Sequence, residues 1–447
     1  MVMTIARGGE LIESGRRHVI PKERYVSREF FDLEMERLWP RVWQIACREE
    51  EIPEVGDYVT YDIVEESIIV ARVAPDRIAA YYNACRHRGR RLTDGCGHVR
   101  RFVCPFHGWK WNLAGENIDV LARDQWEGTL TDEYLRLRQV KVDRWGGFVF
   151  INMDPDCEPL ADYLGTVIPM LDPFEIDRMR YRWRQWLYFP CNWKVAIEAF
   201  IEGYHVPGTH PQLTKHSAPG TWSKAHGRHS CFGAASDKGT GGGTSGASGA
   251  LDMRVALAEV LTQLWDEVNA TTTRTIVDAA QRLADELPPE TPPREVQIHL
   301  MKRAMEMDAA RGVVWPKIDP QHIAEAGNDW HVFPNSVLLQ GPTFLLGYRA
   351  RPHGRDPDSC IFEVFVMDRF PEGQEPKPEN LYKPDHDEAS WRKVLCQDFS
   401  NMEDIQRGMK SRGFSGARPN PFQERAITNF HRVLAEYMGR GAPRPVS

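Results

Sequence analysis

No stretch of this 447-residue chain is apolar for long enough to span a bilayer, so a membrane-embedded role is not expected. The first residues, Met1 to Arg7, are too short and too weakly apolar for a secretory signal. Positive charge is not in excess. The 56 Lys and Arg stand against 63 Asp and Glu, a net charge of −7, which argues against nucleic acid as the main partner. The nine cysteines form no evenly spaced framework, so a disulfide scaffold is not expected and a reducing, cytoplasmic setting is. HExxH is absent, which weakens a zinc-protease reading. One dinucleotide-like pattern occurs, Gly241-x-Gly243-x-x-Gly246, but it follows Ala234-Ala-Ser-Asp-Lys rather than a buried strand. It lies in a stretch rich in Gly, Ser and Ala, residues 233–250, which reads as a flexible linker. The chain thus offers no credible site of its own for NAD or flavin.

What is present is more specific. Hydrophobic content of 42% and charged content of 27% suit an ordinary globular protein of two or three domains. Cys85-Arg-His87 is followed, after sixteen residues, by Cys104-Pro-Phe-His107. Two thiolates and two imidazoles in mixed pairs are the ligand set of a Rieske [2Fe–2S] cluster, with the cysteines on one iron and the histidines on the other. A structural zinc site with the same four residue types usually groups Cys with Cys and His with His, so the mixed pairing favours the binuclear cluster. Cys96 and His98 leave too few residues before Cys104 to form a rival pair of loops. Cys47, Cys157, Cys191, Cys231, Cys360 and Cys396 read as small packing residues. The arginines around the motif (Arg86, Arg88, Arg90, Arg91, Arg100 and Arg101) are a solvated face, or a docking surface for an acidic electron donor.

The fold expected is α+β. Residues 22–38 read as one amphipathic helix ending before Pro40. Short β-rich runs such as Tyr58–Asp62 and Ser67–Arg72, together with Trp109–Trp111 and Gly147–Asn152, outline a small all-β domain over residues 41–157 with the cluster at its loop tips. Residues 1–40 and 158–447 then form a larger domain, an antiparallel sheet flanked by helices, with a flexible and helical insert at about 212–325. Tyr181–Pro190 is an aromatic strand, and 251–312 is helical with Leu257, Val260, Leu261, Leu264 and Val268 on one face. Strands over Asn335–Asp368 are broken at Pro352–Pro357, and a last helix spans Glu424–Tyr437.

A second constellation lies in the segment Asn192–His210. On one continuous helix Glu198, Glu202 and His205 fall at i, i+4 and i+7, a polar stripe amid Trp193, Val195, Ile197, Phe200 and Ile201. Pro207 and Gly208 are expected to end that helix and free His210 to turn back toward His205. Two histidines with one carboxylate and open positions make the facial triad of a non-haem Fe(II) oxygenase. The third ligand is left between Glu202 and a carboxylate from afar. A di-iron carboxylate site is disfavoured, because Glu202-Gly-Tyr-His205 is the only Glu-x-x-His and its nearest echo is Asp319-Pro-Gln-His322.

Taken together, Cys85-x-His87, Cys104-Pro-Phe-His107-Gly-Trp, Asn192-Trp-Lys and Glu202-Gly-Tyr-His205-x4-His210 resemble the Rieske non-haem iron oxygenases, specifically the α (terminal oxygenase) subunits of ring-hydroxylating oxygenases. Asn83–Gly89, Trp330–Asn335 and Gln397–Glu403 also look like family segments; the helical part at 251–312 does not. The resemblance implies that His205, His210 and Asp398 hold the catalytic iron, with Glu403 and Asp404 as weaker candidates. It implies that Glu202 bridges the two centres across a subunit boundary, between His107 of one subunit and His205 of the next. A homotrimer (α3), with or without a β subunit (α3β3), follows from that geometry. Electrons would come from an NAD(P)H-dependent reductase, directly or through a ferredoxin, and O2 and a small organic substrate would meet at the iron.

The implied activity is hydroxylation of an aromatic or alicyclic molecule. Its alternative is demethylation or hydroxylation of an N- or O-methyl substrate, and a minor alternative is a plain [2Fe–2S] electron carrier. Three departures point to the carnitine and betaine branch: Glu rather than Asp at 202, Ala199 where the naphthalene-type enzymes have Asn, and a spacing from Glu198 to His205 one residue shorter. Strands around Leu338–Leu346 and part of the helical insert are expected to line the substrate pocket.

Overall fold

The computed structural model describes residues 19–214, 220–234 and 252–439; Met1–Arg7 and the Gly241–Gly246 pattern lie outside them. The described residues form two compact units.

The smaller unit comprises residues 32–163, 352–355 and 437–439. Its main sheet has seven strands in the order Gln44–Arg48, Phe148–Asn152, Gln139–Trp145, Arg77–Tyr82, Glu66–Ala74, Asp57–Ile63 and Cys96–His98. Every pair is antiparallel. A second sheet of three short strands, Phe102–Val103, Lys110–Trp111 and Asn117–Asp119, shares a core with it. That core contains Ile69, Tyr81, Phe102, Trp109, Trp111, Leu135 and the thiols of Cys85 and Cys104. β-branched and aromatic residues in these strands fit a pleated surface buried on one side.

The larger unit comprises residues 19–31, 164–351 and 356–436. Its eight-stranded sheet runs Thr221–His226, His229–Ala234, Asp329–Val332, Ser336–Gln340, Phe344–His353, Asp356–Asp368, Arg180–Phe189 and Leu381–Tyr382. Only the last pair among those with a described register is parallel. The strands extend through the predicted break at Pro352–Pro357 as far as His353 and resume at Asp356, leaving a two-residue turn. Helices Met253–Glu267, Arg274–Gln281, Leu283–Glu286 and Pro293–Ala310 build a satellite core around Ile276, Ala280, Leu283, Val296 and Leu300, against which Leu257 and Leu261 pack. The final helix is Arg425–Gly439. No helix among the described residues is long and apolar enough to cross a membrane.

The helix expected over 22–38 is two helices, Glu23–Val26 and Arg28–Arg37. Ser27 between them is extended (φ −81°, ψ 131°), and its hydroxyl accepts a hydrogen bond from Phe30 N at 3.2 Å. It thus caps the second helix instead of continuing the first.

Candidate metal centres

Cys85–His87 and Cys104–His107 occupy two loops built alike. Cys85 O accepts from Gly89 N and Cys104 O from Gly108 N, each at 2.9 Å. Cys85 N donates to Arg90 O and Cys104 N to Trp109 O, each at 2.8 Å. Gly89 (φ +74°) and Gly108 (φ +70°) take the left-handed conformation that closes each turn at least cost. Asn83 braces the first loop, with Oδ1 accepting from Leu92 N at 2.8 Å and Nδ2 donating to Thr93 O at 2.7 Å.

The thiols are buried and the imidazoles half-buried. His87 Nδ1 and His107 Nδ1 face each other at 3.2 Å, and Trp109 stacks on His87 at 4.8 Å. Burial and the neighbouring Cys104 push the Cys85 thiol above its ordinary value, so the paired thiolates require a strongly cationic partner. Two thiols together and two Nδ1 atoms together fit a binuclear cluster. Cys96 is exposed on its edge strand, and His98 Nδ1 bonds Asp57 Oδ1 at 2.9 Å. The surrounding arginines are partly engaged: Arg86 lies over Tyr134 and donates to its carbonyl, Arg88 lies over Phe106, and Arg91 is near Asp62 and Asp94.

In the larger unit, the segment 192–210 departs from the expected continuous helix. Asn192 caps a helix that ends at Glu198. Beyond it, Glu202 Oε2 accepts the backbone N–H groups of Tyr204 and of His205, donors that a continuing helix would have used. Gly203 is needed there, since a Cβ would lie 2.7 Å from Thr221 Cγ2. Pro207 and Gly208 do not end the helix either. They sit inside a second short one, Val206–Thr209, with His205 before its first residue and His210 after its last.

The stripe of Glu198, Glu202 and His205 therefore does not exist. Glu198 turns to Tyr25 Oη at 2.8 Å and His431 Nε2 at 2.7 Å, and burial pushes its pKa up to about 8 against the Tyr25 hydrogen bond and the Lys194 charge. It is part of a buried structural network with Arg24, which donates to His431 O at 2.7 Å.

What the break achieves is convergence. His205, His210 and Asp398 each offer an atom, all within 4.8 Å of one another. Asp398 Oδ1 is 2.9 Å from His210 Nε2 and 3.7 Å from His205 Nε2. Each Nδ1 is engaged elsewhere: His205 Nδ1 donates to Glu202 Oε1 at 2.6 Å, and His210 Nδ1 donates to Gln397 Oε1 at 2.8 Å. Both Nε2 lone pairs are thereby aimed at the shared point, the arrangement that orients metal-binding imidazoles. Burial opposes the imidazolium of His205, but Glu202, and Asp398 after it, hold its pKa above the usual histidine value. The donor set fits Fe(II) with open positions.

Asp398 lies on the buried face of the helix Glu388–Met409, with Val394, Leu395, Phe399, Met402 and Gln406. Gln406 Oε1 accepts from Asn192 N at 3.0 Å, tying this helix to the one before Glu202. The weaker candidates are spoken for, Glu403 by His386 Nδ1 at 2.7 Å and Asp404, exposed, by Arg407. His322 bonds Met170 O at 2.9 Å and takes no part. Sequence reading gave no role to Gln397, although it adjoins Asp398, nor to Trp109 as the ring stacked on His87.

The family model of the ring-hydroxylating alpha subunit catalytic domain matches residues 174–440, and that of the Rieske [2Fe–2S] domain matches residues 42–135. The glycine betaine monooxygenase oxygenase subunit of Chromohalobacter salexigens is 34% identical over 197 residues, 44% of this chain and 44% of that one. The carnitine monooxygenase oxygenase subunit of Escherichia coli is 29% identical over 219 residues, 46% of this chain and 58% of its own length. The biphenyl 2,3-dioxygenase subunit alpha of Rhodococcus jostii is 32% identical over 196 residues, 42% of each chain. The matched segments span about half the length of these relatives.

Among solved structures, a quaternary ammonium Rieske monooxygenase in complex with L-carnitine superposes with a TM-score of 0.64 at 19% identity, covering 94% of this chain and 95% of that one. Naphthalene 1,2-dioxygenase from Rhodococcus sp. bound to indole gives 0.61 at 21% identity, covering 94% of each. Those two likenesses are of fold. With the catalytic-domain match covering more than half of its residues and a Rieske domain preceding it, the chain belongs to the ring-hydroxylating alpha-subunit family.

Proposed function

We propose that this chain is the terminal oxygenase component of an O2-dependent hydroxylating system. The observation that carries the reading is the convergence of His205, His210 and Asp398, with both imidazoles held through Nδ1. In this assignment Cys85 and Cys104 hold one iron of the Rieske cluster, His87 and His107 hold the other, and His205, His210 and Asp398 hold a mononuclear Fe(II). The cluster supplies single electrons and the Fe(II) supplies open positions beside the substrate. Glu202 fixes the tautomer of His205 and serves as the electron-transfer bridge toward His107 of an adjacent subunit. That role calls for a head-to-tail homotrimer, with or without a β subunit. A reductase, directly or through a ferredoxin, is the electron source.

The first substrate reading is an aromatic or alicyclic molecule. The second, oxidation of an N- or O-methyl group, is supported by Glu at position 202 and by the betaine and carnitine relatives. Iron content and turnover test the proposal together. An oxygenase carries about three irons per chain and an electron carrier about two. A product screen with a surrogate reductase, NADH, aromatic acids and quaternary amines should yield hydroxylated or demethylated product. Holoprotein with two irons and no product across that panel would defeat it.

A further inference from the structure

Among the described residues, Asp329 is a buried carboxylate whose Oδ1 has no partner. It is 2% exposed on the strand Asp329–Val332, and its Oδ1 has no hydrogen-bond donor. Burial, with no cation or donor to offset it, lifts its pKa well above the carboxylate range. A group like this is costly to keep unless something binds it.

The register of the sheet shows where it faces. Phe232, Asp329, Leu339 and Leu346 form one cross-strand row, and Ser230, His331, Val337 and Tyr348 form the next. Directly opposed residues share a face, as do residues two apart along a strand, so both rows lie on the same side of the sheet. In the second row Ser230 Oγ and His331 Nδ1 are likewise buried and have no partner among the described residues. His331 donates through Nε2 to Pro334 O at 3.0 Å, which leaves Nδ1 a bare acceptor. This side of the sheet meets the metal-binding segment. Tyr348 stacks at 3.9 Å on Phe200, two residues before Glu202. Its phenol is pushed up by burial and by the charges of both Asp398 and Asp329. A carboxyl group that meets no donor at Oδ1 among the described residues thus stands on the aromatic-bearing face that approaches the candidate iron site.

We propose that Asp329 is the counter-charge for a cationic nitrogen on the substrate, so that the site selects an ammonium-bearing molecule over a neutral one of the same shape. The proposal rests on the oxygenase reading and goes beyond it by fixing the charge of the substrate, on either carbon skeleton. A quaternary ammonium would be held by charge and by ring faces. A protonated amine would also donate N–H groups to Asp329 Oδ1 and His331 Nδ1.

The test uses the full-length holoprotein, assayed for iron, and calorimetric binding of two matched pairs: choline against its neutral tert-butyl isostere, and benzylamine against benzyl alcohol. In wild type at least one cation should bind about tenfold or more tightly than its neutral partner. Preference in the choline pair alone points to a quaternary substrate, and preference in the benzylamine pair alone to a protonated amine. Asp329→Asn should abolish the ratio without changing iron content, and Asp329→Glu should restore part of it. A purely structural aspartate would alter stability and leave the ratio where it was. No cation preference in either wild-type pair, or an unchanged ratio in Asp329→Asn, overturns the proposal. Loss of the oxygenase reading shows separately, as a missing third iron in wild type.

Discussion

Glu202 serves several groups with one carboxylate: it takes two backbone N–H groups that would otherwise extend a helix, and it holds His205 by Nδ1. Glu202→Gln keeps an acceptor for Nδ1 but removes the charge. Both metal centres should remain loaded, by iron analysis and cluster absorbance, while turnover falls about 10- to 100-fold. Normal coupled turnover in that variant would remove the bridging role. Asp398→Ala should act differently, lowering iron from about three to about two per chain with the cluster spectrum intact, because only the mononuclear site loses a donor. At this scale the sequence was uneven. His205 and His210 stood out through their spacing, and so did the four cluster donors. Asp398 lies 188 residues from His210, and no local pattern joins them; only resemblance pointed to it. Gln397 and Asp329 carried no signal at all, since one unpaired carboxylate or amide looks like any other until the fold buries it.

Elements are where local rules and tertiary demands compete. Apolar residues through 193–201 argue for a long helix, and periodicity has no means of registering that Glu202 will capture Tyr204 N and His205 N. The strands were more legible, because alternation and aromatic content persist whatever the chain does at its ends. Strand-borne charge was not. Glu363 is fully buried between Arg184 (2.9 Å) and Arg349 (2.7 Å), on adjoining strands of the large sheet. Burial alone would raise its pKa, but the two guanidinium charges outweigh this and bring it down to about 2. A folded-state pKa below the ordinary value contributes stability at pH above that ordinary value, and the contribution fades as pH falls toward about 2. Glu363→Gln removes the buried carboxylate that both arginines pair with and should cost about 3–5 kcal/mol near neutral pH. The urea midpoint of the full-length protein, followed by tryptophan fluorescence, should drop accordingly. The mutant's deficit should shrink on acidification from about 4.5 to about 2, the window of this one group. A deficit independent of pH would assign the loss to packing rather than to charge.

At the scale of the whole molecule, the assignment of His107 and Glu202 to opposite sides of a subunit boundary has a consequence that no single-chain property can mimic. A Cys104→Ser subunit would lack an intact cluster but keep its mononuclear site; an Asp398→Ala subunit would have the reverse defect. Each alone, as a homotrimer, should be inactive. Co-expressed in equal amounts with distinct tags and purified as mixed trimers, they should recover activity, because an intact cluster on one chain can serve an intact iron site on its neighbour. In a closed head-to-tail ring every mixed trimer, whichever mutant is in the majority, has one of its three interfaces pairing the two working halves. The purified mixed trimers should therefore show about a third of wild-type turnover per chain. Activity near zero in verified mixed trimers, with the cluster and iron contents each at half of wild type, would mean that both centres act within one chain. Glu202 would then be an orienting residue for His205 and nothing more.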